Sequence, residues 1–363
     1  MLIQQISLQD YRSYESLDLS LGEGLTAILG PNGVGKTNLL EAIALLGTLK
    51  SFRGAPTENL VRQGASQSIV RATGVRDGRE VLIELELAKG RTRALVNRQR
   101  LQRSRDLLGA MRVTVFAPDD LELIKSGPAI RRDFLDDLIV ALDPRADAVI
   151  ADVDRILKQR NALLRQSAGR LDDMTAATLD VWDSKLAAAG AHLTIRRENT
   201  LSDLMPLAAT AYAQLAGATT DVVASYQRSW SSDEMADAIA AARNEDVRRG
   251  VSSVGPHRDD VSLRIDGFDS RTEASQGEQR TLALALRMAG HRLITDEVGE
   301  SPLLLLDDVL SELDPGRAHA LLANLPPGQT VITSASGLPT ATVPDQILHH
   351  DPVGGGFISG QRA

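Results

Sequence analysis

The stretch Gly30-Pro31-Asn32-Gly33-Val34-Gly35-Lys36-Thr37 constrains this chain more than any other. It follows the short apolar run "LTAILG" and opens "KTNLLEAIALLGTL", whose apolar residues recur at helical spacing. A strand, a glycine-rich turn and a helix in that order bring backbone N–H groups and the positive end of a helix to one point, where phosphate oxygens bind. In that setting Lys36 reaches the β- and γ-phosphates of a nucleotide and Thr37 places its hydroxyl on Mg²⁺. Gly30, Pro31, Asn32, Gly33, Val34, Gly35 and Asn38 frame the cradle. A glycine-rich turn with a chance Lys-Thr is the bland alternative, and the flanking strand and helix weigh against it.

The partners of such a loop stand near the other end of the chain. "LLLLDD", Leu303 to Asp308, reads as a buried strand ending in two carboxylates, although a strand that simply ends in solvent would look the same. In parallel sheets ligands collect at the carboxyl ends of strands. There Asp307 would hold Mg²⁺ and Asp308 would polarise an attacking water, so Lys36 and Asp308 are the catalytic candidates and Thr37 and Asp307 the metal ligands. "SELDP" follows at once, with Asp314 in N-cap position before a proline. "TVITSAS", Thr330 to Ser336, is a later strand ending in hydroxyls. "SQGEQR", Ser275 to Arg280, precedes the apolar run "TLALALRMA" and has the form of a capping box, Ser275 with Glu278 three residues on.

Composition fits a soluble globular protein: 43% of residues are apolar and 24% charged, enough to bury a core. At 363 residues the chain is long for one domain and suits two. No apolar run reaches the ~20 residues of a membrane span. The start, "MLIQQISLQDY", lacks the pattern of a secretory signal. The absence of cysteine excludes disulfides and thiolate metal sites, and agrees with a cytoplasmic setting.

The first ninety residues alternate in strand-like runs around one helix. From about Asp119 to Asn244 strand signals disappear, and "DAVIADVDRILKQRNALLRQ" and "LDVWDSKLAAAGAHLTIRRENTLSDLM" read as long amphipathic helices without sustained heptads. Strand signals return after Val251 with "DDVSLRIDG", "PLLLLDDVL" and "TVITSAS". The expected organisation is one α/β domain built from residues 1–118 and 251–363, with a mainly helical insertion, 119–250, between. The tail "DPVGGGFISGQRA" reads as a loosely held terminus.

The formal net charge is −8, yet Ala88 to Arg105 contains seven basic residues and no acid. Arg91, Arg93, Arg98, Arg100, Arg103 and Arg105 are therefore the candidates for a polyanion contact, several of them on one sheet face. A solvated charged hairpin is the competing reading. Arg131 and Arg132 are a second basic pair, equally able to anchor the insertion through acids such as Asp136 or Asp137. With aromatics at only 3%, duplex backbone binding fits better than base stacking on single strands.

Taken in order, the P-loop, "SQGEQ", "LLLLDD" and "SELD" resemble an ABC-type ATPase head, the last three as signature, Walker B and D-loop. About 240 residues separate P-loop and signature, which places the chain near the SMC and Rad50 branch with a shorter arm. "FAPDDLELIKSGPAIRRDFLDDLI", "LKQRNALL", "GPHRDD" and "LLLLDDVLSELDPGRAHALL" narrow the resemblance, nearly end to end, to the RecF family of bacterial DNA replication and repair proteins. The resemblance implies a cytoplasmic, nucleoid-associated ATPase with weak hydrolysis whose insertion is lobe II. It implies binding of double-stranded DNA and of single-strand gap junctions, and closure as a homodimer around ATP and Mg²⁺. It also implies work with RecR and RecO to place RecA in gap repair and the SOS response. By position, Ser275, Gln276, Gly277, Glu278 and Asp314 would meet nucleotide held by a second copy, and Arg12 in "QDYRSY" would touch nucleotide in its own chain.

Two departures from the wider ABC pattern stand out. Asp308 occupies a place usually held by Glu, which fits slow turnover and a switch role. The region after the last strand reads "ITSAS" where transporters carry His, so either Thr333 or Ser334 would stand in or the γ-phosphate sensor is missing. No glutamine occurs in "VFAPDD", where a Q-loop is expected. The competing functions are a transporter's energising subunit, which the distant signature and the arginine cluster oppose, and a structural DNA-binding protein using ATP only as glue, which hydrolysis would separate.

Overall fold

The computed structural model describes residues 1–232, 234–340, 342–352 and 356–359. The chain opens with strands β1 (Leu2–Tyr11), β2 (Tyr14–Ser20) and β3 (Leu25–Leu29), then helix α1 (Lys36–Thr48). Strands β4 (Gln67–Arg76), β5 (Arg79–Ala88), β6 (Arg91–Val96), β7 (Gln99–Arg100) and β8 (Val113–Phe116) follow. β1, β2 and β4 to β7 form an antiparallel sheet in the order β2-β1-β4-β5-β6-β7. Its alternating pattern puts Ile6, Leu8, Val70, Ala72, Ile83, Leu85 and Ala94 on the buried face. α1 shares their core through Leu39, Leu40, Ile43 and Leu46, all 0–1% exposed. A helix apolar nearly all round is one enclosed on most sides.

The chain then builds α2 (Glu122–Lys125), α3 (Pro128–Leu142), α4 (Ala146–Gln166), the 44-residue α5 (Asp173–Ala216), β9 (Val222–Gln227), α6 (Met235–Arg249), β10 (Asp260–Ile265) and β11 (Phe268–Asp269). α3 begins on an extended Gly127 with Pro128 in its first turn. Val153, Ile156 and Leu157 of α4 meet Leu186 and Leu193 of α5 and Ile239 of α6 in a core of their own.

The return segment supplies α7 (Gln276–Val298), β12 (Leu303–Asp307), α8 (Pro315–Ala323), β13 (Thr330–Ser334), β14 (Gln346–His350) and β15 (Phe357–Ser359). The second large sheet runs β15-β14-β3-β13-β12-β8, parallel except for β15. Its central strands are buried nearly end to end, mostly by apolar residues with Thr26, Thr330 and Thr333 among them, as strands covered on both faces must be.

The chain divides into two compact units: Met1–Leu121 with Thr210–Thr219 and Gln276–Ala363, and Glu122–Ala209 with Thr220–Ser275. Both ends build the first unit, but the return lies near 275, not at 251. "DDVSLRIDG" forms β10, which pairs antiparallel with β9 in a three-stranded sheet of the second unit. β9, "VVASYQ", escaped the sequence reading because its buried Val222 is followed by half-exposed and exposed residues. The tail also differs from expectation. Phe357–Ser359 pairs with β14, and Phe357 is buried edge-on to His350. Residues 353–355 and 360–363 of that tail lie outside the described residues.

Buried arginines organise the second unit. Arg160, with a fully buried side chain, holds Asp183 and Asp246 at 2.7 Å. Arg197 forms a two-pronged pair with Asp136, both bonds 2.7 Å, and donates to the Pro256 carbonyl. Arg131 pairs with Asp260 at 2.8 and 3.0 Å, and Arg132 donates to the Asp259 carbonyl. "GPAIRRDFLD" is thus tied to "GPHRDD", and the partner of Arg131 is Asp260 rather than Asp136 or Asp137. Removing one member of a buried pair leaves the other charge uncompensated. Asp136→Ala is expected to lose about 3–5 kcal/mol of stability, and the double change Asp136→Ala with Arg197→Met to recover most of it. Urea denaturation of the three proteins measures both effects.

Candidate functional site

β3 delivers the chain into the glycine-rich loop at the carboxyl edge of the parallel sheet. The Gly30 N–H is tied to the Ser334 carbonyl at 3.3 Å, at the end of β13. Gly33 and Gly35 have φ of 85° and 105°, a region that side chains disfavour. Gly35 is the N-cap of α1, and no side chain caps that helix. Its first N–H groups therefore remain for an anion. Lys36 closes over the loop, its Nζ donating to the carbonyls of Gly30 at 2.7 Å and Pro31 at 2.9 Å. Burial lowers its pKa, while Asp308 and Asp307 act the other way.

Thr37, one residue further, donates from Oγ1 to Oδ1 of Asp307 at 3.0 Å. The same oxygen accepts from Thr333 at 2.8 Å, and the Thr333 hydroxyl accepts the Asp308 N–H at 2.9 Å. Asp307 is 4% exposed. Burial pushes its carboxyl above the usual range, against the bonds from Thr333 and Thr37, and the charge of Asp308 adds to the rise. Such a carboxylate gains from a cation. Mg²⁺ takes few protein oxygens and fills its octahedron with water and phosphate, so one hydroxyl and one carboxylate suit it. Among the described residues no group of three or more acidic or histidine side chains offers an all-protein cage. Asp308 has φ 48°, and its carbonyl accepts the hydroxyl of Ser311 at 2.7 Å. Of the two hydroxyls after β13, Thr333 joins this cluster, whereas Ser334 donates to the Gly337 carbonyl.

Arg12 is held against α1. Its Nε and Nη2 each meet a carboxylate oxygen of Glu41 at 2.7 Å, and Nη1 donates to the Asn59 carbonyl. Its guanidinium is committed to α1, five residues beyond Lys36. Asn38 donates to Ser13 Oγ at 3.0 Å and accepts from Arg53 at 3.3 Å. Arg53 also acts through its charge on Asp307. The sequence reading missed it, since a lone arginine after a helix carries no pattern.

Ser275 directly precedes α7, with Gln276 as its first residue and Gly277 and Glu278 in its first turn. A side chain on Gly277 would meet the Arg317 guanidinium at 3.1 Å. Asp314 caps α8 by accepting the Arg317 N–H at 3.0 Å, and pairs with its Nη1 at 2.6 Å. The start of α7 and Asp314 are thus brought together through Arg317, another residue the sequence reading passed over. Arg280 of α7 binds Glu312, and Arg287 binds Asp120 at 2.7 and 2.9 Å. In "VFAPDD", Asp120 makes the link to α7.

The strand register sorts the six candidate arginines. Ala94 is buried, so Arg91 and Arg93 lie on the outer face of β6, and Arg100 stands opposite Leu95 on that same face. Arg98 sits in the turn, with φ 66°, and Arg103 and Arg105 lie in and beside the helical turn after β7. The segment carries no acid, but its neighbour does: β5 brings Glu84 and Glu86 onto the face, where Glu86 pairs with Arg93 at 3.1 Å.

The RecF/RecN/SMC N-terminal domain family matches residues 2–334. The chain is 45% identical to a DNA replication and repair protein RecF of Frankia alni and 43% identical to that of Streptomyces avermitilis. These matches cover 93% of this chain and 93% and 94% of the relatives. Among solved structures it is similar to a recombination mediator protein RecF with ATPrS in the RecFOR pathway. That match has TM-score 0.89 and 30% identity, covering 99% of this chain and 98% of the other. An Smc head bound to the C-terminal winged-helix domain of ScpA shares the fold at TM-score 0.58 and 17% identity, with 99% and 98% covered.

Because the folded-state pKa of Asp307 is raised, its ionised form opposes folding. That penalty is full above the raised value and gone below the unfolded value. In metal-free buffer Asp307→Asn is expected to raise Tm at neutral pH, with the gain shrinking as acid protonates the wild-type carboxyl. Thermal melts of both proteins across pH in a chelator check this.

Proposed function

The chain belongs to the RecF family, and from that premise we propose that it is an ATP-switched DNA-binding protein of recombinational repair. The observation that carries the reading is the meeting of Thr37, Thr333 and Asp307 at the carboxyl ends of the adjacent strands β3, β13 and β12. On this reading the loop and α1 hold the triphosphate, and Thr37 and Asp307 hold Mg²⁺. The metal, when bound, neutralises phosphate charge as the terminal bond breaks. Asp308 accepts a proton from the attacking water. One methylene shorter than the usual Glu, it approaches that water less closely, which supports slow hydrolysis serving as a switch.

Ser275 and Gly277 at the start of α7 complete the nucleotide site of a second copy, with Asp314 and Arg317 beside them, so that ATP joins two heads. Asp314 and its neighbours stay poised through the Arg317 bridge. Double-stranded and gapped DNA lies on the outer face that carries Arg91, Arg93 and Arg100. RecR and RecO are the partners, RecA the protein finally placed on DNA, and the cytoplasm, at the nucleoid, the setting. The RecFOR description of the similar solved structures supports the assignment of RecR and RecO. No described helix is long and apolar enough to cross a membrane.

Sedimentation with ATP–Mg²⁺ tests the switch. Wild type is expected to shift from monomer to dimer, and Ser275→Arg to remain monomeric while still binding ATP. An unaltered dimer in Ser275→Arg rejects the trans site. For the DNA face, Arg91, Arg93 and Arg100 changed together to Ala are expected to lower duplex affinity. The plot of log K against log salt should also flatten, by up to about 0.9 for each phosphate no longer neutralised. An unchanged slope removes that face.

A further inference from the structure

The turn between β1 and β2 grips α1 and its loop with three successive residues. Arg12 holds Glu41, Ser13 accepts from Asn38, and Tyr14 lies against Gly35. The third grip is chemically incomplete. Tyr14 is 3% exposed, and its hydroxyl is sealed from solvent with no hydrogen-bond partner. The ring points at the N-cap of α1: a Cβ on Gly35 would fall 2.6 Å from Oη and 2.9 Å from Cζ. Gly35 is therefore required twice, by its positive φ and by this contact. A phenylalanine would pack as well without burying an unsatisfied hydroxyl, and such groups are rare because they are costly. The hydroxyl is thus an unused donor held at the N-cap of α1.

We propose that Tyr14 is a positioning residue of the nucleotide site, its hydroxyl gaining a phosphate oxygen as partner only when a nucleoside triphosphate seats on α1. The inference rests on reading the glycine-rich loop as an ATP site. Lys36 donates to the carbonyls of Gly30 and Pro31, and Tyr14 lies beneath Gly35 of the same loop. A phosphate chain draws Lys36 away and opens the loop beside Gly35. Tyr14 then donates to an anionic oxygen, a stronger bond than a neutral one. The unused donor thereby becomes a preference for bound phosphate, and the turn that carries Arg12 and Ser13 reports it.

The test is Tyr14→Phe in the full chain, with Lys36→Ala beside it. ATP–Mg²⁺ affinity is measured by calorimetry, and Tm with and without nucleotide. The free Tyr14→Phe protein is expected to melt at or above wild type, while its ATP–Mg²⁺ affinity falls about fivefold or more and its nucleotide-induced rise in Tm shrinks. A merely structural tyrosine would move both melting points together. A smaller change in affinity overturns the inference, as does a lower Tm of the free variant, which would mean the hydroxyl already has a partner. If Lys36→Ala binds ATP as wild type does, the nucleotide-site reading itself fails. If Lys36→Ala loses binding while Tyr14→Phe keeps it, only the role of Tyr14 falls.

Discussion

The hydrogen bond from Thr37 to Asp307 joins residues 270 positions apart, and the rest of the site depends on it. It forms only if β3 and β12 both flank β13 in one register, with Asp307 level with Thr333 and Ser334 level with Leu29. A slip of one residue would put Leu306 where the carboxylate stands and turn every side chain of β12 to the other face. The register is firm because the strand is apolar on both sides, Leu303 to Leu306 being 0–2% exposed. The same burial that fixes the strand raises the pKa of the acid at its end. Packing and chemistry have one cause here: a dry parallel sheet that stops at a carboxylate.

A head assembled from two distant segments must tolerate whatever lies between them. The second unit meets this demand with its own core and its own buried ion pairs, chiefly those of Arg160 and Arg197. The points where the chain leaves and re-enters the head are stapled together. Asp120, at the end of the outgoing segment, pairs with Arg287 of α7, the first element of the return. Asp120 also accepts the Ala117 N–H, so the ion pair fixes the backbone as well as the side chain. Loop closure over so long an insertion adds little entropy cost per added residue, and a single staple at the crossing carries more weight than the insertion's length.

The site was legible where local sequence dictates geometry. "GPNGVGKT" between a strand and a helix, and "LLLLDD", place their residues by spacing alone, and Lys36, Thr37 and Asp307 lie where those patterns put them. What escaped depends on contacts between distant segments. Glu41 neutralises Arg12, Glu86 pairs with Arg93, and Arg317 joins Asp314 to Gly277, yet nothing near any of them in sequence says so. β9 is too short and too exposed to announce itself, and without it "DDVSLRIDG" has no visible partner and reads as part of the head.

The antiparallel sheet also ties the turn that grips α1 and the outer face of β6 into one body. β1 ends in the turn that grips α1, pairs along most of its length with β4, and connects through β5 to β6 and the outer-face arginines. Every step of that route is a backbone ladder, which shears little. The turn cannot shift toward or away from α1 without moving the strand that carries it, because Arg12 is held by two short bonds to a fully buried Glu41. The grip on α1 is therefore carried by β1 into the rest of the antiparallel sheet.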